Sequence, residues 1–78
     1  MSKEELLFVA EGTTVDGKTR RVSVYQIGKS FMLRSMSPTG HMHHTPCHPS
    51  RRTENDIKRE IALVYSVTIT SVKYPPNL

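Results

Sequence analysis

Apolar and β-favouring residues in the first half of the chain form three short segments separated by turn signals. The segments run over 6–14, 19–27 and 30–36, with Asp16-Gly17 and Gly28-Lys29 between them. Residue pairs of this kind are favoured in two-residue hairpin turns. The pattern therefore predicts a three-stranded antiparallel meander.

Two-residue turns at both positions would set the pairing of these strands. The first turn places Val9 opposite Val24 and Phe8 opposite Tyr25, and the second places Tyr25 opposite Met32. Because successive strand residues point to opposite faces, apolar side chains are predicted on both faces of the sheet. One face is expected to carry Leu7, Val9, Val22, Val24, Phe31 and Leu33. The other is expected to carry Leu6, Phe8, Ala10, Tyr25, Ile27 and Met32, with Arg21 and Arg34 toward one end.

A long loop, a helix and a last strand are predicted in the second half. Three prolines and a glycine argue against regular structure over 37–52. Thr53 and the apolar spacing that follows it predict a capped helix ending near Tyr65. Residues 66–74 are dense in β-branched side chains and predict a strand that ends before the tail at 75–78. This last strand is expected beside the first, in either direction.

These elements predict an α+β fold with the order β-β-β-α-β. The expected architecture is a four-stranded, mainly antiparallel sheet with one helix packed on one face. A chain of 78 residues suits one domain over 1–78. One helix covers one face only, so the other would expose an apolar patch, unless the tail or the long loop folds over it.

The charge is concentrated in one part of the chain. The formal net charge is +4, and residues 17–53 contain no acid while holding all four histidines. Such a surface attracts anions, or simply keeps the domain in solution. Nucleic acid is therefore one candidate partner. The basic residues available for it are Lys18, Arg20, Arg21, Arg34, Arg51, Arg52, Lys58 and Arg59.

The predicted loop also contains a compact group of metal-ligating residue types. Imidazole and thiolate are good ligands for zinc. The candidates are His41, His43, His44, Cys47 and His48. Structural zinc sites usually combine two separated ligand pairs, and this single cluster lacks that spacing. No cofactor is therefore expected, and zinc stays an alternative.

The first hypothesis is a small, non-catalytic binding or regulatory protein. Its interface would be the uncovered sheet face, with Leu6, Phe8, Tyr25, Ile27 and Met32 as anchors and Arg21 and Arg34 as rim. The partner would be another protein or a second copy of the chain. No catalytic motif is recognisable, so no enzyme activity is predicted. A single cysteine, no signal-peptide pattern and no long apolar run predict a cytoplasmic protein without a membrane segment.

Overall fold

Five strands and one helix make up the part of the chain that the structure, a computed structural model, describes: residues 4–37, 39–47 and 53–75. They are β1 (Glu4–Thr14), β2 (Thr19–Ile27), β3 (Ser30–Met36), β4 (Met42–Pro46), α1 (Glu54–Tyr65) and β5 (Val67–Lys73). The sheet has the order β4-β3-β2-β1-β5, and every neighbouring pair is antiparallel. The predicted α+β fold is confirmed, and the last strand does lie beside the first. The predicted number of four strands was wrong.

The additional strand, β4, lies within the segment that was predicted to be an irregular loop. It pairs with β3 from Met36 opposite Met42 to Met32 opposite Pro46. Proline is tolerated on an edge strand, where its missing N–H removes no bond from a second neighbour. The prediction of an irregular loop from the proline content was therefore wrong for residues 42–46. Residues 38 and 48–52 of the predicted loop lie outside the described residues.

Two hairpins of the sheet share the same three-residue turn. In the first, the N–H of Thr14 donates to the Lys18 carbonyl at 2.8 Å, and the N–H of Gly17 donates to the Thr14 carbonyl at 2.9 Å. Gly17 has a φ of +83°, which suits a type I turn followed by a left-handed residue. The turn between β3 and β4 repeats this pattern with Gly40 at a φ of +91°.

The extra turn residue changes which face of β1 is buried. Phe8 lies opposite Val24 rather than Tyr25, so the predicted pairing of β1 with β2 was wrong by one residue. A register shift between Leu6 and Phe8 returns Leu6 to the face of Tyr25. The predicted second hairpin, with Tyr25 opposite Met32, is confirmed.

The helix packs on the face that holds Phe8. Thr53 caps α1, since its side chain accepts a hydrogen bond from the N–H of Asp56 at 3.2 Å. Ser66 ends α1 in the left-handed conformation and leads directly into β5. The buried cluster beneath the helix consists of Phe8, Ala10, Val22, Val24, Leu33, Ile57, Ile61 and Val67. Among the described residues, no helix has the length and apolar character needed to cross a membrane.

Candidate functional site

The sheet face opposite α1, called here the open face, carries most of the predicted anchor residues. Strand alternation puts Tyr25 on this face because its neighbour Val24 is fully buried under α1. Leu6 and Met32 lie opposite Tyr25 on the two flanking strands, and Pro46 continues the row on β4. No helix or additional strand in the described part of the chain packs on this central row.

Five of the six anchor and rim residues predicted around Tyr25 therefore lie on one surface. Ile27 and Arg21 are an even number of residues from Tyr25 on β2, and Arg34 is two residues from Met32 on β3, so all three lie on the same face. Phe8 does not, because it is 2% exposed in the core and so is not available to a partner. The apolar residues that do lie on the open face are only partly exposed. Four of them are half-buried: Leu6, Tyr25, Ile27 and Met32.

Arg34 explains part of this burial. Its guanidinium lies over the Tyr25 ring, 4.3 Å from the centroid, and it forms an ion pair with Glu4. Its Nε also donates to Nδ1 of His44 at 3.1 Å, which requires the unprotonated form of that ring nitrogen. The sequence positions of these four side chains are far apart, and strand pairing alone brings them together. The result is an aromatic ring held in place by an ordered cation.

A second ionic group lies further along the same face. The carboxylate of Glu11 lies 3.5 Å from Arg21 and 3.9 Å from Lys73. Together with Arg34 and Glu4, this means that three cations and two carboxylates face the same direction. Each of those cations has a carboxylate oxygen within ion-pair distance, so the open face is close to electrically balanced.

The basic residues predicted for nucleic acid do not form one surface. Arg21 and Arg34 lie on the open face, whereas Lys18 lies in the first turn, 3.9 Å from Asp16. Lys58 lies on α1 and pairs with Glu54 at 3.0 Å, which raises the pKa of its ammonium group. Arg59 is exposed on α1, and Arg51 and Arg52 lie outside the described residues.

Arg20 has a structural role that sequence analysis did not identify. It lies on the helix side of the sheet, where its Nε donates to Oγ of Ser35 at 2.8 Å. Its guanidinium is 4.8 Å from the centroid of the Tyr65 ring at the end of α1. Ser35 is 2% exposed and donates in turn to the carbonyl of Arg21 at 2.9 Å. A cation near the helix C-terminus also complements the negative end of the helix dipole.

Strand β4 separates the candidate metal ligands. His43 lies opposite Ser35 on the helix side, and the next residue, His44, lies on the open face with Arg34. Cys47 packs against the core beyond the end of the strand. Among the described residues, no three His, Cys, Asp or Glu side chains come together as a metal site. Of the five residues predicted for zinc, His48 lies outside the described ranges.

Tyr74, the residue after β5, lies on the helix side of the sheet and does not cover the open face. The ring of Tyr74 lies 6.0 Å from that of Phe8, and its hydroxyl donates to Glu54 at 2.5 Å. This hydrogen bond, together with the one from Lys58, lowers the pKa of the Glu54 carboxyl. The same contact raises the pKa of Tyr74.

No protein-family model, curated protein or solved structure matches this chain. A functional proposal therefore rests on the geometry of the open face.

Proposed function

We propose that this chain is a non-catalytic binding protein that docks through the open face onto another protein molecule, either a different protein or a second copy of the chain. The observation that supports this most directly is the stack of Arg34 on Tyr25 beside Met32, on a surface that no described element covers. Tyrosine, arginine and methionine are enriched at protein interfaces, and tyrosine and arginine dominate interface hot spots. The proposal includes a cytoplasmic location, which is favoured by the presence of only one cysteine in the sequence, since one cysteine cannot form a disulfide within the chain.

The side chains of the open face are restrained before any partner binds, and this favours a tight complex. Immobilising a flexible side chain at an interface costs about 0.5–1.5 kcal/mol. Arg34 is already held by Glu4, by His44 and by the Tyr25 ring. A partner that packs on Tyr25 would therefore meet a surface whose largest side chains are already restrained.

Charge balance favours a protein over nucleic acid as the partner. Phosphate binding needs cations that release counterions when they contact the backbone. On the open face, the three cations Arg34, Arg21 and Lys73 already pair with the carboxylates of Glu4 and Glu11, so only one positive charge is left unbalanced. Tyr25 also has Arg34 on one side of its ring, so it offers at most one ring face for stacking on a base.

Affinity capture with matched variants tests the proposal. The baits are the wild-type chain, Tyr25→Ala and Leu63→Ala, each with and without nuclease treatment. Leu63 is a suitable control because it is 72% exposed on the helix, away from the open face. We expect one protein to be captured stoichiometrically by the wild type and by Leu63→Ala, to be lost with Tyr25→Ala, and to resist nuclease.

Two results would contradict the proposal. If Tyr25→Ala is folded by circular dichroism and still captures the same protein as the wild type, the open face is excluded as the interface. Capture that disappears with nuclease would replace the protein partner by nucleic acid. In that case the affinity should also fall steeply between about 50 and 200 mM salt.

A further inference from the structure

We propose that the partner of the open face is a second copy of this chain, so that two sheets pack face to face about a two-fold axis. The inference rests on the proposed function and names the occupant of the same site. Face-to-face packing of two sheets is a stable arrangement in which side chains from both inner faces interdigitate. Here the helices would lie on the two outer surfaces of the dimer.

The size of the open face fits a dimer. Five strands spaced by about 4.8 Å, whose neighbouring pairs contain nine, six, six and five residue pairs at about 3.3 Å each, give a face of roughly 24 by 21 Å. The domain itself extends 24 Å along each of its two shorter axes. Two such faces in contact would bury roughly 1,000 Å² in total before side-chain relief is counted, which reaches the lower limit of a specific interface.

The charge pattern of the face is compatible with itself. In a two-fold interface the same patch meets its own copy, so a patch of a single sign repels itself. The whole chain carries a net charge of +4, but the open face pairs Glu4 and Glu11 with Arg34, Arg21 and Lys73. Two copies can therefore approach through this face without the repulsion that the rest of the surface would cause.

The centre of the face offers apolar contacts for such a dimer. Leu6, Tyr25 and Met32 lie side by side on three adjacent strands. Met36 and Met42 pair at one end of β3 and β4 and remain 53% and 47% exposed. Methionine adapts its shape to an apposed surface, so these side chains would extend the apolar contact toward the β4 edge.

Charge reversal in two separate chains tests the inference by sedimentation velocity. Glu4→Arg leaves four cations against one carboxylate on the face, and Arg34→Glu leaves two cations against three carboxylates. We expect the wild type to be dimeric and Glu4→Arg alone to dimerise at least about tenfold more weakly. Fluorescently labelled Glu4→Arg should regain the dimer when it is mixed with an equal amount of unlabelled Arg34→Glu, because the two faces then carry net charges of opposite sign. Arg59→Glu on α1 is the control, and it should dimerise like the wild type.

The outcomes separate this inference from the proposed function. A wild-type chain that stays monomeric up to about 0.5 mM overturns the second copy as partner. A dimer that both variants leave intact, or that their mixture fails to restore, overturns the open face as the dimer interface. If the chain is monomeric and yet captures a different protein through Tyr25, the inference fails while the proposed function stands. Circular dichroism of each variant shows that any loss of dimer does not reflect unfolding.

Discussion

Replacing Gly12 with alanine would force β1 and β5 apart. An alanine Cβ at this position would lie 2.3 Å from the carbonyl oxygen of Thr68 and 3.1 Å from the Cα of Ile69. Ordinary contact needs about 1 Å more, and the obstacle is backbone rather than a flexible side chain. Overpacking costs about 1–3 kcal/mol, and a lost strand hydrogen bond adds about 1 kcal/mol. We therefore expect Gly12→Ala to lower the free energy of unfolding by about 2–4 kcal/mol.

A loss of this size is easy to measure in a domain of this length. At roughly 0.1 kcal/mol per residue the whole domain is stable by only about 8 kcal/mol. Urea unfolding followed by circular dichroism gives the difference directly. Gly17→Ala is the matched control, because Gly17 has open space around it and needs only its positive φ. That variant should lose about 1 kcal/mol. If Gly12→Ala loses no more than Gly17→Ala, the steric reasoning is refuted.

Two further predictions concern the helix and the start of the tail. Ile61→Ala, at a fully buried position, should lower the free energy of unfolding by about 2–5 kcal/mol. Leu63→Ala, on the exposed side of the helix, should change it by about 0.5 kcal/mol or less. Equal losses of the two variants in urea titrations would contradict the assignment of Ile61 to the core. The hydrogen bond from Tyr74 lowers the pKa of Glu54 below its ordinary 4.5 and raises the pKa of Tyr74 above its ordinary 10.0. Stabilisation through Glu54 is therefore lost as the pH falls below about 4.5, and stabilisation through Tyr74 is lost as the pH rises above about 10. The difference in stability between the wild type and Tyr74→Phe should be largest between these limits, and a difference that is constant from about pH 3 to 11 would argue against the bond.

The turns show how far local patterns determine the sheet. Asp16-Gly17 marks the first hairpin correctly, but the pattern does not distinguish a two-residue loop from the three-residue loop that forms. That single residue reverses the side of β1 that is buried, which moves Phe8 and Ala10 into the core and Val9 to the open face. A pairing error of one residue therefore exchanged Phe8 and Ala10 for Val9 in the composition of the candidate site.

The missed strand has a different origin. β4 contains few of the residues that favour strands, and its pairing with β3 is what orders it. The segment that begins at Ser37 and ends at Gly40 has the same turn chemistry as the segment from Thr14 to Gly17, and this repeat was the available signal. His44 reaches Arg34 only because this strand forms, so the ionic group over Tyr25 could not be deduced from sequence spacing.

Sequence alone determined the features that depend on neighbouring residues. The Thr53 cap, the spacing of Ile57 and Ile61 and the β-branched run after Ser66 specify the helix and the final strand through local backbone preferences. Tertiary structure alone decided which side chains share the open face. The reason is that Glu4, Tyr25, Arg34 and His44 come from four strands, and their meeting depends on loop lengths and on long-range pairing rather than on any local preference.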